Sequence, residues 1–366
     1  MKLKKPIYVT RPFLPPLEEY NELLKKIWNN GILTNDGRYV NQFEKEMSNK
    51  FRLSNFITFT SGTTALQMAI RALGIKGEII TTPFTWIATL SAIKMENCTP
   101  KFCDIDTETF NMDPSTIEKC ITEKTVAIMP VHVFGNPCDI DRIQKVADSY
   151  NLKVIYDAAH AIGATFKGES VLEYGDISAV SLHATKLLNT GEGGGCITKD
   201  KILAKKIESL RFFGYNINRT DIIQDGLNGK LTELQSALGV VNLKYFDKVL
   251  EDRAQKSAYY KEELKGYKSL RFQKNTHGTT NHSYFPVVFK NETLLLKTLE
   301  ALSNENIFPR RYFYPSVNTF KNIVIDQKCA ASESLSKRIL CLPLFYDLDM
   351  DVIKKIIMII KKSYEK

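Results

Sequence analysis

Short apolar segments alternate with amphipathic segments along the first half of this 366-residue chain. The apolar segments have the length and the β-branched or aromatic content typical of strands; they cover residues 55–60, 77–80, 101–104, 126–133, 153–156 and 177–182. Between them, apolar residues recur at helical spacing over 64–73, 87–95 and 140–150. Strands joined by helices in this way predict an α/β fold with a mostly parallel sheet that is buried on both faces.

Helices are also predicted outside this alternation. Two helices, at 17–28 and 39–50, precede the alternating segments. A long amphipathic pattern from 232 to about 250 predicts one linking helix after them. Beyond it, a strand at 285–289 and helices at 292–303 and 349–363 indicate a smaller α+β unit. Because the chain is long for a single core, we predict a large domain at 1–245 and a small C-terminal domain at 246–366.

Composition limits the class of protein. Apolar residues make up 43% and charged residues 25% of the chain, as in ordinary globular proteins. No segment approaches the roughly 18 apolar residues of a membrane span, and the first residues lack a signal-peptide pattern. Seven scattered cysteines without a Cys-x-x-Cys pair favour reduced thiols over disulfides or zinc. We therefore expect a cytoplasmic protein with no membrane partner and no metal.

The net charge of +9 raises nucleic acid as a possible partner. The basic residues are dispersed, however, and neither an aromatic-interleaved basic stripe nor a helix-turn-helix pattern is present. We therefore predict no nucleic-acid partner. A basic surface that attracts a small anionic substrate fits at least as well, and solubility alone is the simplest explanation.

The turn after the strand at 177–182 contains one lysine, Lys186, together with His183 and Thr185. Ser181, just before the turn, is a candidate phosphate ligand, and the glycine-rich segment after it could adopt positive φ and approach a ligand closely. A lysine held there would lose hydration, which lowers the pKa of its amine and makes it a nucleophile. The first hypothesis is a Schiff-base lysine; a solvated lysine at a strand end is the commoner alternative.

Two other strand ends carry groups that suit an anion and a planar ring. Ligands of parallel sheets bind outside the carboxyl ends of the strands. Residues 59–66 open a helix whose positive end presents hydroxyls, among them Thr63 and Thr64, and so form a candidate anion site. Trp86, one of two tryptophans, follows the next strand and could stack on a planar ring. Taken alone, an ordinary N-cap and a core aromatic explain these residues as well.

A carboxylate and an amide complete this set of strand-end and loop residues. Asp157 ends a run of buried residues and therefore needs a positive partner, and His160 follows three positions later. Asn228 lies in a Gly/Asn turn of the kind that contacts phosphate. A helix-capping role is the alternative for Asp157. Together with Lys186, these segments supply a phosphate cradle, a ring partner and an acid for a ring nitrogen, which are the parts that pyridoxal 5'-phosphate requires.

Several motifs resemble those of the DegT/DnrJ/EryC1/StrS sugar aminotransferases. They are Thr-Ser-Gly-Thr-Thr-Ala-Leu at 60–66, Asp-Ala-Ala-His-Ala-Ile-Gly-Ala at 157–164, Ser-Leu-His-Ala-Thr-Lys at 181–186 with Gly-Glu-Gly-Gly at 191–194, Asn-Gly-Lys-Leu-Thr-Glu-Leu-Gln at 228–235, and shorter matches at 131–137 and 342–344. The resemblance covers almost the whole chain. It implies fold type I of the pyridoxal-phosphate enzymes, with a seven-stranded type of sheet, and a homodimer whose active sites are shared between subunits.

The resemblance also implies a role for each matching residue. Lys186 would form the Schiff base with the cofactor, Asp157 would contact the pyridine nitrogen, and His160 would lie by the phenolic oxygen. Trp86 would stack on the ring, and the phosphate would be held by Thr63, Thr64 and Ser181, with Asn228 of the partner subunit. Lys230 departs from the family, which often has arginine there; it keeps the charge but not the bidentate fork.

The resemblance further implies the reaction. Related sugar dehydratases have histidine in place of the Schiff-base lysine, so Lys186 favours transamination with L-glutamate as the donor. Segments 8–19 and 31–37 are most similar to members that aminate C4 of dTDP-4-keto-6-deoxy-D-glucose for surface-polysaccharide synthesis. Candidate substrate contacts are His183, Arg311, Tyr312 and Tyr314, although residues 310–315 could also form a basic surface turn. The alternatives are a 3-keto- or UDP-linked sugar aminotransferase and a non-catalytic regulatory protein that binds the cofactor.

Overall fold

A computed structural model describes residues 4–324 and 327–364, so the outermost residues of both predicted domains and residues 325–326 lie outside the described part. The strands are β1 (Ile7–Tyr8), β2 (Phe56–Phe59), β3 (Glu78–Thr81), β4 (Thr99–Phe102), β5 (Thr125–Met129), β6 (Lys153–Asp157), β7 (Thr165–Phe166), β8 (Glu169–Ser170), β9 (Ile177–Ser181), β10 (Gly194–Ile197), β11 (Arg271–Phe272), β12 (Phe285–Val288), β13 (Ile307–Phe308) and β14 (Ile339–Leu342).

Along the chain, the α-helices lie near both ends and in the connections between strands. They are α1 (Leu17–Asn30), α2 (Arg38–Phe51), α3 (Gly62–Leu73), α4 (Ile87–Met95), α5 (Ile140–Ser149), α6 (Lys201–Arg211), α7 (Glu233–Lys244), α8 (Phe246–Leu264), α9 (Glu292–Asn304), α10 (Ala330–Arg338) and α11 (Met350–Tyr364). Most of the predicted elements are therefore present within a few residues of their expected bounds; α6 and α10 were not predicted.

The central sheet has seven strands in the order β2-β10-β9-β6-β5-β3-β4. β4, β3, β5, β6 and β9 run parallel to one another, and β10 is antiparallel to both β2 and β9. Successive strand residues face opposite layers of helices: Ile79 packs with α3, α4 and α6, whereas Ile80 packs with α2, α5 and α7. The predicted α/β fold with a mostly parallel sheet buried on both faces is confirmed.

In the glycine-rich segment after Lys186, one glycine adopts the positive φ that the sequence allowed and two others are extended. Gly191 has φ +79, but Gly194 and Gly195 are extended residues of β10. A Cβ on Gly194 would lie 2.5 Å from the backbone of Ser61, and one on Gly195 would lie 2.4 Å from the ring of Phe56. The glycines therefore serve close packing of β10 against β2 and the start of α3.

Two predicted elements are shorter than expected. The strand predicted at 126–133 ends at Met129, because Pro130 has no N–H to continue the ladder. The single linking helix predicted at 232–250 is in fact α7 and α8, which are separated at Tyr245 (φ −98, ψ 0). The Tyr245 hydroxyl donates to the Glu19 carboxylate and its ring contacts Phe13 at 5.5 Å, so tertiary contacts with the N-terminal segment hold the break.

The C-terminal part forms a second core. β11, β12 and β14 make an antiparallel sheet covered by α8, α9 and α11, and β1 pairs in parallel with β13. The predicted boundary between residues 245 and 246 coincides with the start of α8, although the division into two domains stays a prediction. Within residues 4–324 and 327–364, no helix combines the length and the apolar character that crossing a bilayer demands.

Candidate active site

A cavity of about 270 Å³ lies at the carboxyl ends of the parallel strands, and we call it the Lys186 cavity. Eight of the predicted site residues line it: Thr63, Trp86, Asp157, His160, Ser181, His183, Lys186 and Tyr312. Further lining residues that were not predicted include Ser61, Gly62, Thr185, Glu192, Tyr284 and Arg310. Residues that are far apart in sequence thus meet at one edge of the sheet, as the strand-end rule predicts.

Lys186 is partly buried in the turn after β9, where its N–H donates to the carbonyl of His183 at 2.9 Å. Burial lowers the pKa of its amine to about 8, and the Asp157 carboxylate acts in the opposite direction by favouring the ammonium form. A substantial fraction of the amine is therefore neutral near physiological pH. This is the state that a Schiff-base nucleophile needs.

Asp157 is the last residue of β6 and is only 5% exposed. Its carboxylate accepts hydrogen bonds from the Thr89 hydroxyl at 2.7 Å and the Ala159 N–H at 3.1 Å. Burial raises the pKa of Asp157, while these two donors and Lys186 lower it. Among the described residues no cation forms an ion pair with Asp157, so its carboxylate has room for a cationic partner such as a protonated ring nitrogen.

The start of α3 and the end of β9 form the anion cradle. Ser61 is the N-cap of α3, and its hydroxyl accepts from the Thr64 N–H at 3.1 Å. A Cβ on Gly62 would lie 2.8 Å from the Cβ of Ser181, so the two segments approach each other closely. The first N–H groups of the helix and the neighbouring hydroxyls suit a phosphate. Thr64 does not line the cavity itself, but its hydroxyl lies 2.9 Å from that of Ser61, which does.

Aromatic rings form the remaining walls. Trp86 is 50% exposed, so it is free to stack on a ligand and is not a core residue. The His160 ring lies 4.9 Å from the Tyr284 ring, and its Nδ1 accepts from the Phe134 N–H at 3.3 Å. Burial lowers the pKa of His160 well below its ordinary value, so this imidazole is neutral. It can therefore hydrogen-bond or pack against a ligand without adding charge.

Four predicted residues lie outside the Lys186 cavity. Besides Thr64 they are Asn228, Arg311 and Tyr314. The Asn228 Oδ1 accepts from the Lys230 ammonium at 2.6 Å. Arg311 pairs with Glu292 at 2.6 Å and stacks over the Tyr314 ring at 3.5 Å. The guanidinium that reaches the cavity is that of Arg310, which the sequence motif contained but did not single out.

A second cavity of about 340 Å³ adjoins the first, and we call it the aromatic cavity. The two share Trp86, Arg310, Tyr312 and Phe313, and the aromatic cavity extends to Tyr314, Val317, Phe320 and Ile323. The Arg310 guanidinium lies 4.5 Å from the Tyr312 ring centre and 5.4 Å from that of Trp86. It has no ion pair with any carboxylate of the described residues, so a free positive charge marks the junction of the two cavities.

A fold of this topology, with a lysine, a buried aspartate and an anion cradle at the strand ends, defines a fold type I pyridoxal-phosphate-dependent transferase. The donor set fits the cofactor because the buried Asp157 carboxylate and the cradle match its ring nitrogen and its phosphate. The chain belongs to the DegT/DnrJ/EryC1/StrS aminotransferase family, whose model matches residues 17–361. The predicted family, enzyme class and cofactor are thereby confirmed.

Individual relatives and solved structures cover nearly the entire chain. The dTDP-4-amino-4,6-dideoxy-D-glucose transaminase of Shigella dysenteriae is 40% identical over 366 residues, covering 98% of this chain and all of that protein. The crystal structure of DesI in the presence of its TDP-sugar product has a TM-score of 0.93 at 30% identity, covering 98% of this chain and 93% of DesI. NtdA from Bacillus subtilis, with the cofactor PMP bound, has a TM-score of 0.89 at 25% identity, covering 96% and 82%.

Proposed function

We propose that this aminotransferase moves an amino group from L-glutamate to C4 of dTDP-4-keto-6-deoxy-D-glucose. The product would be dTDP-4-amino-4,6-dideoxy-D-glucose, a precursor for surface-polysaccharide sugars. The observation that carries the proposal is the pairing of Lys186 and Asp157 in one cavity that opens, past Arg310, into an aromatic cavity. The full-length similarity to the Shigella dysenteriae transaminase supports the choice of sugar.

When bound, pyridoxal phosphate supplies the carbonyl that exchanges amino groups and a ring that accepts electrons. Asp157 would hold the ring nitrogen and keep it protonated, since its buried carboxylate has no other cationic partner among the described residues. Ser61, Thr63 and Ser181 would hold the phosphate. Trp86 would cover one face of the ring and exclude water from it.

Lys186 has two tasks in this proposal. Its neutral amine acts as a nucleophile toward a carbonyl, and the same Nζ carries a proton between two carbon atoms of the reacting group. A pKa of about 8 suits both, because the amine takes up and releases a proton near the working pH without a large free-energy difference. His160, which is neutral, would orient the ring and leave the acid–base step to Lys186.

The two adjoining cavities match the order of groups in a nucleotide sugar. A sugar placed beside Lys186 puts the diphosphate at the unpaired Arg310 guanidinium and the base among the rings of the aromatic cavity. Arginine is well suited to phosphate oxygens because its donors form a planar fork. Tyr312 lines both cavities, and Arg311 and Tyr314 line the aromatic cavity, but the Arg311 guanidinium is already neutralised by Glu292. We therefore assign the diphosphate contact to Arg310.

A homodimer is part of the proposal. Asn228 and Lys230 lie outside the Lys186 cavity of their own chain, and the nearby loop exposes Ile217, Ile222 and Ile223 at 90, 58 and 63%. Apolar side chains that are exposed together favour contact with another chain. A second copy that covers this loop would bring Asn228 of the partner subunit to the phosphate.

All seven cysteines are free thiols, which is consistent with a protein that functions in the reducing cytoplasm.

An assay of purified protein with L-glutamate tests the reaction. We expect conversion of dTDP-4-keto-6-deoxy-D-glucose and much slower conversion of its 3-keto isomer and of a UDP-linked 4-keto sugar. Lys186→Ala should abolish turnover while circular dichroism shows a folded protein. Turnover of another sugar, but not of the first, would refute the substrate; bound cofactor without turnover of any sugar would favour the non-catalytic alternative.

The neighbouring arginines provide a matched test of the nucleotide assignment. Arg310→Gln should raise KM for the nucleotide sugar about tenfold or more, because it removes a charge-assisted hydrogen bond, and should leave the melting temperature unchanged. Arg311→Gln should instead lower the melting temperature, since it breaks the partly buried pair with Glu292, and should raise KM less than Arg310→Gln does, although Arg311 also lines the aromatic cavity. The reverse pattern would contradict the assignment.

A further inference from the structure

Two polar side chains that line the Lys186 cavity, those of His183 and Glu192, take no part in the steps assigned to Lys186 and Asp157. They come from the turn after β9 and from the glycine-rich segment before β10. The Ala184 N–H donates to the carbonyl of Gly191 at 2.7 Å and so holds these two segments together. The two side chains are 44% and 58% exposed, so both are open to a molecule in the cavity.

Hydrogen bonds to the His183 ring determine which of its nitrogens carries the proton. The Thr185 backbone N–H donates to Nδ1 at 3.1 Å, and a backbone donor cannot turn away, so Nδ1 is an acceptor. The Thr185 hydroxyl lies 2.8 Å from the same nitrogen and can donate to it as well. A neutral imidazole carries one N–H, which is then on Nε2. His183 therefore presents an Nε2–H donor.

Glu192 provides an acceptor beside this donor. Its backbone is fixed, because its carbonyl accepts from the Thr190 hydroxyl at 2.7 Å and from the Gln235 side-chain amide at 3.0 Å. Its Oε1 lies 3.5 Å from Nε2 of His183, which is longer than the roughly 2.9–3.0 Å of a good N–H···O hydrogen bond. The two groups therefore leave each other incompletely satisfied, and one oxygen atom of a ligand can contact both.

A hydroxyl group matches this pair, because it accepts from an N–H and donates to a carboxylate at the same time. A carboxylate of the amino donor does not match, since the Glu192 charge repels it. In dTDP-4-keto-6-deoxy-D-glucose the reacting C4 has two neighbours. C3 carries a hydroxyl, whereas C5 carries the C6 methyl group and the ring oxygen. The hydroxyl that lies next to the reacting carbon, and hence near Lys186, is the one on C3.

We propose that His183 and Glu192 determine specificity by binding the 3-hydroxyl of the keto sugar. Nε2 of His183 donates to the hydroxyl oxygen, and the hydroxyl donates to the Glu192 carboxylate. The inference rests on the proposed function and adds to it the group that orients C4 toward Lys186. A sugar without this hydroxyl leaves both polar groups unpaired in the complex, which is how a hydrogen-bonding site rejects an analogue.

Steady-state kinetics of the holoenzyme with the parent sugar and with its 3-deoxy analogue test the proposal. Wild-type kcat/KM should be about tenfold or more higher for the parent, because the hydroxyl donates to a charged acceptor. Glu192→Ala should lower kcat/KM about tenfold for the parent but less than about twofold for the 3-deoxy analogue. Glu300→Ala, at an exposed position outside the cavity, should change neither value.

His183→Ala should also reduce the preference for the parent sugar. Because both groups hold one hydroxyl, adding His183→Ala to Glu192→Ala should reduce the preference little further. Equal kcat/KM for the two sugars in the wild type, or an equal loss for both in Glu192→Ala, would overturn the assignment and leave the proposed reaction intact. Absence of turnover of either sugar would refute the proposed function and this inference with it.

Discussion

Lys186 should titrate far below an ordinary lysine in the cofactor-free protein. Burial moves the pKa of its amine from 10.5 to about 8. At pH 8 the neutral fraction is then about one half, compared with roughly 0.3% for an amine of pKa 10.5, a ratio of about 150. Because the neutral amine is the reactive form, Lys186 should be among the most reactive lysines at that pH.

Competitive labelling measures this directly. Trace acetic anhydride is added to the cofactor-free protein across pH 6–11, and the acetylated fraction of the Lys186 peptide is compared by mass spectrometry with that of the exposed Lys268. The Lys186 curve should reach half of its plateau near pH 8. A midpoint of 10 or higher would refute the reasoning that burial dominates at this site.

Asp157 provides a second test, of the direction in which a neighbouring carboxylate shifts the pKa of Lys186. Its carboxylate favours the ammonium form of Lys186 and so raises the pKa of that amine. Asp157→Asn should therefore move the midpoint of Lys186 labelling to still lower pH. Asp221→Asn, an isosteric change at an exposed position, should leave it in place. A midpoint that rises, or does not move, in Asp157→Asn would contradict the electrostatic part of the account.

Three other changes have defined outcomes. Gly194→Ala should weaken retention of the cofactor, followed by its absorbance during dialysis, because the new Cβ displaces Ser61; Gly266→Ala, with nothing within 4 Å, should not. The buried Glu233 carboxylate accepts hydrogen bonds from the N–H groups of Tyr39 and Val40 at the start of α2. Glu233→Gln should therefore lower the free energy of unfolding, measured in urea, by about 1–3 kcal/mol, whereas the exposed Glu300→Gln should leave it unchanged. Burial lowers the pKa of His132 to about 3, so between pH 6.5 and pH 3 this imidazole is protonated in the unfolded chain but not in the folded one. The free energy of unfolding therefore falls as the pH is lowered from 6.5 toward 3. His132→Asn should reduce that fall by up to ~1.4 kcal/mol per pH unit, measured by urea unfolding at pH 5 and 7; an equal fall in both proteins would count against it.

Much of the active site could be predicted because parallel strands end at a common edge. Asp157 and Ser181 end β6 and β9, and Trp86 follows β3, so the pattern of strands alone brings them together. The chemistry of each residue type then restricts the ligand. Lys186 was identified in the same way, and its partial burial and lowered pKa follow from the position that the sheet gives it.

The features that were missed depend on pairing between distant segments. Arg310 and Arg311 have the same side chain, so no local property separates them. Arg310 forms an antiparallel bridge with Cys341, and successive side chains of an extended segment point to opposite sides. One guanidinium therefore reaches the Lys186 cavity and the other reaches Glu292. In the same way, β10 forms a strand because it pairs with β2 on one side and with β9 on the other, although its glycines have low strand propensity. Where the role of a residue is decided by the register of a remote partner strand, composition and local periodicity cannot assign it.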